Sequence, residues 1–133
     1  MTLTVQVCTP DSTLSYAPVQ SVILPGSTGK LEILNGHAPL LTGLNIGLMR
    51  IRTNNKWIPI VLMGGFAQVE NNEVIVLSNE AVLGEQINPQ MAQVALAEAE
   101  ANFNQAQSQK DKILFAQALQ KAQARFQAAL EST

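Results

Sequence analysis

A change in composition after Gly84 divides this chain into two parts that must fold differently. From Pro89 to Glu131 the sequence contains no glycine and no further proline, and alanine and glutamine dominate it. Both of these residue types favour an α-helix, whereas glycine and proline interrupt one. We therefore expect two domains, a β-rich domain at residues 1–85 and a helical domain at residues 86–133.

The first part has the periodicity of half-buried β-strands. Leu3, Val5 and Val7 alternate with polar residues, which places the three apolar side chains on one face of a strand. Further strand-like runs occupy residues 19–24, 46–52, 56–62, 66–70 and 73–77. Short strands separated by frequent turn signals are typical of a β-sandwich or a β-barrel.

Asparagine pairs predict two of the turns. Asn54-Asn55 and Asn71-Asn72 each separate two strand-like runs, and asparagine tolerates the left-handed conformation that tight hairpins need. Pro59 lies inside the run 56–62. Because proline cannot donate a backbone hydrogen bond, this run is expected to be an edge strand or to contain a bulge.

The stretch 24–47 is dense in glycine and proline and contains the single histidine, His37. Such density favours turns, so we expect a long loop held between strands. A loop with its own apolar residues, here Pro39-Leu40-Leu41, is often a binding surface. The alternative is a tight corner of the sandwich whose leucines cover the core.

Capping residues predict where two helices begin. Asn88 can cap the first free N–H groups of a helix, and Pro89 suits the first helical position. Ser108, followed three residues later by Asp111, can cap a second helix. The sequence therefore predicts helices over residues 89–107 and 111–130, folded into an antiparallel hairpin about the Ser108 loop.

Each predicted helix carries one stripe of apolar residues spaced by three and four, which lies on a single helix face. The first stripe is Ala92, Leu96, Ala99, Phe103 and Ala106, and the second is Phe115, Leu119, Ala122, Phe126 and Ala129. In the antiparallel hairpin small residues face small ones, so the two axes can approach closely. The alternative is that each stripe packs on another protein. Beside the second stripe, Leu114, Ala118, Lys121, Arg125 and Ala128 form a side stripe.

Composition and charge exclude several classes of function. A net charge of −2 and a pI of about 5.3 argue against nucleic-acid binding. No apolar run approaches the ~20 residues that span a bilayer, so we expect a soluble protein or one that is peripheral to a membrane complex. His37 has no clustered ligand partners, and Cys8 is expected to be a buried, inert thiol. Gly26–Lys30 lacks the flanking residues of a phosphate loop. We expect no catalytic site, metal or cofactor, which leaves an interaction subunit or a small-ligand module.

Several blocks resemble the epsilon subunit of F-type ATP synthases, and they follow one another in the family's order. They are residues 29–31 (GKL), 35–42 (NGHAPLLT), 46–52 (IGLMRIR), 62–67 (LMGGFA) and 71–73 (NNE). The later blocks are similar to the chloroplast and cyanobacterial branch. The resemblance implies an N-terminal antiparallel β-sandwich followed by a C-terminal antiparallel two-helix hairpin. It implies a non-catalytic rotor subunit of a proton-translocating ATP synthase, peripheral on the stromal or cytoplasmic side of the thylakoid membrane.

The resemblance also implies partner contacts. Family members bind the gamma subunit and rest on the membrane c-ring, and their helical hairpin can open towards the beta and alpha subunits and block ATP hydrolysis. Carried over by position, the residues at the c-ring and gamma contacts are Lys30, Leu31, Glu32, His37, Ala38 and Pro39. Lys121 and Arg125 match the region whose basic residues face an acidic segment of beta.

A nucleotide motif of some bacterial members is altered here. The motif reads Ile or Leu, Asp, two variable residues, Arg and Ala, and the matching positions are Ile87, Asn88, Met91 and Ala92. The aspartate has become Asn88 and the arginine has become Met91. A methionine offers no charge to a phosphate, so we expect weak or absent ATP binding. A nucleotide-binding regulatory module remains the alternative function.

Overall fold

The computed structural model describes residues 2–132, which form a β-sandwich followed by two helices. The strands are β1 (Leu3–Cys8), β2 (Thr13–Val19), β3 (Ser21–Gly26), β4 (Gly29–Leu34), β5 (Leu40–Thr53), β6 (Lys56–Glu70), β7 (Glu73–Leu77) and β8 (Ala81–Leu83). A single 3-10 turn, Gly84–Gln86, leads to α1 (Pro89–Gln105) and α2 (Gln109–Glu131). The predicted fold class is therefore confirmed.

One sheet supplies both layers of the sandwich, because its two longest strands are shared between them. The strand order is β2-β1-β7-β6-β5-β3-β4, with β8 also pairing to β6. Within the described residues, β1 and β7 form the parallel pair of an otherwise antiparallel sheet. The first half of β6 pairs with β8 and the second half with β7.

Gly64 and Gly65 separate those two halves of β6. Both have positive φ values, +78° and +117°, which residues other than glycine rarely adopt. A Cβ atom on Gly65 would also clash with the backbone carbonyl of Leu77. The glycine pair therefore lets β6 turn from one layer into the other while β7 approaches it closely.

Large aliphatic side chains fill the space between the two layers. Leu24, Met49, Ile51, Ile60 and Leu62 are fully buried there, together with valines from β1, β3 and β7. Alternate residues of each strand point outward, as a half-buried sheet requires. The region 58–63 is an exception, because Val61 is buried as well, in a separate cluster on the outer face.

Helix α2 covers that outer face. Ala124 and Ala128 lie in one cluster with Val61, and Leu48 and Val82 pack against its edge. Helix α1 packs mainly on α2. The sequence predicted the hairpin but not this contact, which makes α2 a helix with two buried sides.

The local signals of turns and caps are confirmed. Asn54, Asn55, Asn71 and Asn72 all have positive φ values in tight turns. Asn88 Oδ1 accepts a hydrogen bond from the Met91 N–H at 3.0 Å, and Ser108 Oγ accepts one from the Asp111 N–H at 3.0 Å. Helix α1 ends two residues earlier than predicted, and α2 extends by two residues at its start and by one at its end.

Three strand predictions are wrong in detail. The stretch 24–47 is not a long loop, because most of it belongs to β3, β4 and β5. The run 19–24 begins at Ser21, since Val19 ends β2, a strand that the sequence did not predict. The runs 56–62 and 66–70 are one strand. At Pro59, β6 still has β5 on one side only, because pairing with β8 begins at Ile60, so the missing N–H costs no ladder bond.

Candidate interaction surfaces

The turn between β3 and β4 presents the residues expected at the c-ring. Gly29 has a φ of +132°, and outside the two adjacent residues no heavy atom lies within 4 Å of the position where its Cβ would be. The chain therefore reverses in the open. Lys30 and Glu32 are exposed, whereas Leu31 is half-buried and packs on the sandwich core. The turn therefore exposes two opposite charges to a partner, whereas its leucine packs on the core of the sandwich.

The segment with His37, Ala38 and Pro39 lies at the other end of β4. A six-residue strand spans roughly 17–20 Å, so this segment and the Lys30 turn form two separate sites. The Gly36 N–H donates a 2.7 Å hydrogen bond to Asn72 Oδ1, which ties the segment to the β6–β7 turn. The Nδ1 atom of His37 lies 2.7 Å from the Ala38 carbonyl oxygen. The histidine thus orders the loop, and Ala38 and Pro39 remain exposed.

Exposed apolar side chains cover part of the layer that contains β7. Leu41 is 73% exposed, Phe66 60% and Leu77 54%, and Phe66 pairs directly with Leu77 across the two strands. Beside them a depression of about 480 Å³ is lined by Cys8, Thr9, Pro10, Gly65, Phe66, Leu77, Ser78 and Asn79. Cys8 is only half-buried, so the prediction of a buried thiol is wrong. Neighbouring exposed apolar residues of this size are typical of an interaction surface.

The residues of the predicted hairpin seam differ in exposure along the helices. Ala92 and Ala122 are buried, and Phe103 is 37% exposed near the hairpin loop. The half-buried members are Leu96, Ala99, Ala106, Phe115, Leu119 and Phe126. The seam is therefore covered most completely at its end near the sandwich.

Two of the basic residues of α2, Lys121 and Arg125, lie in the half of the helix that packs on the sandwich. Lys121 Nζ is 3.7 Å from Glu80 Oε2, and both side chains are more than a third exposed. Such a pair is worth at most about 1 kcal/mol. Arg125 is half-buried. The side stripe is not one solvated face, because its last member, Ala128, is fully buried against the sandwich.

A stronger ion pair joins the end of α2 to β5. Arg50 Nε and Nη2 donate to the two carboxylate oxygens of Glu131 at 2.8 and 2.7 Å. Gln127 Nε2 donates to the same carboxylate at 2.8 Å. Hydrogen bonding from Arg50 lowers the pKa of Glu131, partial burial opposes that effect, and the positive charge of Lys30 adds to it. No local sequence pattern predicts this pair, because its partners are 81 residues apart.

Residues of the altered nucleotide motif contribute to the fold. Ile87 and Ala92 are buried in the cluster beneath α2, and Asn88 caps α1. Met91 is 72% exposed, so an apolar side chain stands at the surface where the motif has an arginine. Among the described residues, no group of three His, Cys, Asp or Glu side chains could hold a metal ion. None of the described helices is both long and apolar enough to cross a membrane.

Comparisons with known proteins agree with this arrangement of a sandwich and two helices. Residues 2–84 match the family described as ATP synthase, Delta/Epsilon chain, beta-sandwich domain, and residues 85–129 match the corresponding long alpha-helix domain. The ATP synthase epsilon chain of Cyanothece sp. is 51% identical over 132 residues, which cover 97% of this chain and 96% of that relative. The chloroplastic epsilon chain of Pyropia yezoensis is 48% identical over 133 residues, which cover 100% of this chain and 99% of that relative.

A solved structure is similar over nearly the whole chain as well. A chain of the Euglena gracilis mitochondrial ATP synthase, solved as OSCP/F1/c-ring in rotational state 1, superposes with a TM-score of 0.83 at 26% identity. The match covers 97% of this chain and 81% of that one. The expected resemblance is confirmed, and the chain belongs to the epsilon-chain family of ATP synthases.

Proposed function

We propose that this chain is a non-catalytic rotor subunit that joins a gamma subunit to a membrane c-ring. The observation that carries the proposal is the surface of the sandwich. It combines an exposed apolar patch at Leu41, Phe66 and Leu77 with a charged turn at Lys30 and Glu32. The apolar patch has the chemistry of an interface core, which suits a permanent contact with gamma. The charged turn suits the polar loops of a c-ring. The relatives supply the setting, since their names place them in ATP synthases.

We further propose that the helical hairpin, residues 86–133, inhibits ATP hydrolysis by reaching the beta and alpha subunits. The apolar groups that hold it down are mostly alanines, so the hairpin has little burial to lose when it leaves. Lys121 and Arg125 would then meet an acidic segment of beta. Lys121 is paired with Glu80 in the folded-down arrangement, so this contact would exchange one acidic partner for another.

The proposed location is the stromal or cytoplasmic side of the thylakoid membrane, reached through the complex. Chloroplastic and cyanobacterial relatives support this proposal. The rival function is a nucleotide-binding regulatory module. Met91 lacks the charge of the motif's arginine, and one lost charge-assisted hydrogen bond costs on the order of 1.5–3 kcal/mol. Calorimetry of the isolated chain should therefore detect no micromolar ATP binding. Micromolar affinity would favour the rival.

A reconstitution tests the rotor proposal. A gamma subunit and c-ring should both be retained by the full chain and by residues 1–85 in a pull-down. Hydrolysis of ATP by the assembled complex should be slower with the full chain than with residues 1–85. Retention without any difference in ATPase rate would reject inhibition, and loss of retention by the folded fragment would reject the domain division.

A cross-link tests whether opening is needed. Ala99→Cys with Ala122→Cys, in a Cys8→Ser background, would join α1 to α2 across the seam. The oxidised chain should still bind gamma and yet fail to inhibit hydrolysis, and reduction should restore inhibition. Equal inhibition by both forms would show that the two helices need not separate.

A further inference from the structure

The contact between α2 and the sandwich is chemically different along its length. Its middle is a small apolar patch in which Ala124 and Ala128 meet Val61. Two alanine methyl groups bury little area, so this patch holds the helix only weakly. The strongest polar contacts between α2 and the sandwich are found at the C-terminal end of the helix.

The carboxylate of Glu131 collects most of those contacts. It accepts two hydrogen bonds from the Arg50 guanidinium of β5, and Lys30 contributes its charge from the β3–β4 turn. A third hydrogen bond, from Gln127, lies within α2 and orients the carboxylate. A bidentate arginine–carboxylate pair is among the stronger polar contacts and is defined in direction as well as distance. The two side chains are only 21% and 26% exposed, which limits screening by water. The ion pair between Lys121 and Glu80 has a longer N–O distance and more exposed side chains, and it is therefore the weaker of the two.

Gly84 brings the backbone of the sandwich against the same end of α2. A Cβ atom at this position would overlap Ser132 Oγ and would stand 2.5 Å from the Ala128 carbonyl oxygen. Ser132 Oγ in turn donates to that carbonyl at 2.9 Å. Gly84 has no unusual φ value, so glycine is needed here for close approach rather than for backbone conformation.

We propose that the C-terminal end of α2 is an electrostatic latch, made by Arg50, Glu131 and the Gly84–Ser132 contact, and that this latch controls release of the helix from the sandwich. The α1–α2 seam is then a secondary determinant, because α2 can leave the sandwich with α1 still attached to it. The latch is a property of the chain by itself. Its consequence for ATP hydrolysis rests on the proposed function.

Cysteine accessibility measures the release directly. Ala124 lies on the side of α2 that faces Val61 of the sandwich and is only 8% exposed. A thiol placed there by Ala124→Cys, in a Cys8→Ser background, should therefore react with a maleimide only when α2 leaves the sandwich. Adding Glu131→Gln should raise the labelling rate by roughly 3- to 30-fold, since one charged partner of a partly buried pair is lost. Glu100→Gln removes an equal charge from an exposed position of α1 and should leave the rate unchanged.

Two further variants separate the latch from general loosening. Exchanging the pair, Arg50→Glu with Glu131→Arg, should bring the rate back towards that of the parent. Phe103→Ala, which thins the seam near the hairpin loop, should change the rate by less than about twofold. Added salt should accelerate labelling of the parent and have little effect on the Glu131→Gln chain.

The labelling is done on the isolated chain, so its result does not depend on inhibition. An unchanged rate in Glu131→Gln, or a rise in Phe103→Ala as large as that in Glu131→Gln, would overturn the latch. If the Glu131→Gln chain opens and a complex assembled with it shows unaltered ATPase activity, the latch stands and the inhibitory role of the hairpin falls.

Discussion

The two domains of this chain bury different kinds of side chain. The sandwich core is made of leucine, isoleucine, valine and methionine, and its central residues are fully buried. The cluster beneath α2 has one valine, one isoleucine and four alanines among its buried members. Each methylene missing from a buried side chain forgoes roughly 0.8 kcal/mol. The sandwich is therefore a stable anchor, and the helical hairpin is weakly held on it.

The first prediction uses two neighbouring residues of β6 that face opposite domains. Ile60 points into the sandwich core and Val61 points at α2. Ile60→Ala should lower the free energy of unfolding of the sandwich by about 2–5 kcal/mol, because a large side chain is removed from a closed core. Urea unfolding followed by the fluorescence of Trp57, the single tryptophan, measures this quantity.

Val61→Ala is the matched variant. It should leave the Trp57 transition within about 1 kcal/mol of the parent and should increase labelling of a cysteine at position 124. An equal loss of sandwich stability in both variants would show that α2 and the sandwich unfold as one unit, and the comparison would fail.

A smaller loss of stability is expected at acidic pH, where the Arg50–Glu131 ion pair is broken. The pKa of Glu131 is lowered in the folded chain, mainly by hydrogen bonding from Arg50, whereas the free side chain titrates near 4.5. The ion pair therefore contributes its full stabilisation of the folded chain above the unfolded pKa of Glu131. That stabilisation is lost as the pH falls through the lowered folded pKa. Arg50 stays charged throughout, because the same contact raises its pKa.

Carboxyl-detected NMR of the labelled chain measures the titration. Glu131 should titrate below its ordinary range in the parent and should return towards it in Arg50→Gln. A Glu131 that titrates alike in both chains would mean that the pair is not formed in solution.

The smallest effect on the fold is expected for Lys121 and Arg125 of α2. Lys121→Ala and Arg125→Ala should each change the free energy of unfolding by less than about 0.5 kcal/mol, as ordinary surface substitutions do. If the proposed contact with beta is correct, the double variant should inhibit hydrolysis less than the parent, and parent inhibition should fade as salt rises. Full inhibition by the double variant would show that shape alone blocks the enzyme.

The sequence predicted the features that depend on a few adjacent residues. The asparagine turns and the Asn88 and Ser108 caps follow from local backbone preferences, and all of them are present. Strand β2 was missed because its alternation is short: Leu14 and Tyr16 are half-buried between exposed residues, and Ala17-Pro18 then interrupts the pattern. The stretch 24–47 was misread because its glycines serve tight turns and close strand contacts.

The docking of α2 was missed because it joins residues that are distant in sequence. One signal for it was available. Residues 58–63 are apolar without interruption, which indicates a strand covered on both faces rather than on one. That run could have predicted that something packs on the outside of β6. It could not have identified α2, since Arg50 and Glu131 have no local pattern that pairs them.

Native-state hydrogen exchange tests the central claim that the sandwich is the anchor and the hairpin the releasable part. Amides of β1, β5 and β6 should exchange only through global unfolding. Their free energy of exchange should therefore depend on urea concentration as steeply as the free energy of unfolding measured by Trp57 fluorescence. Amides of α1 and α2 should exchange at a clearly lower free energy that depends weakly on urea. If the amides of α2 are protected as strongly as those of β6, the chain opens as a single unit and the account is wrong.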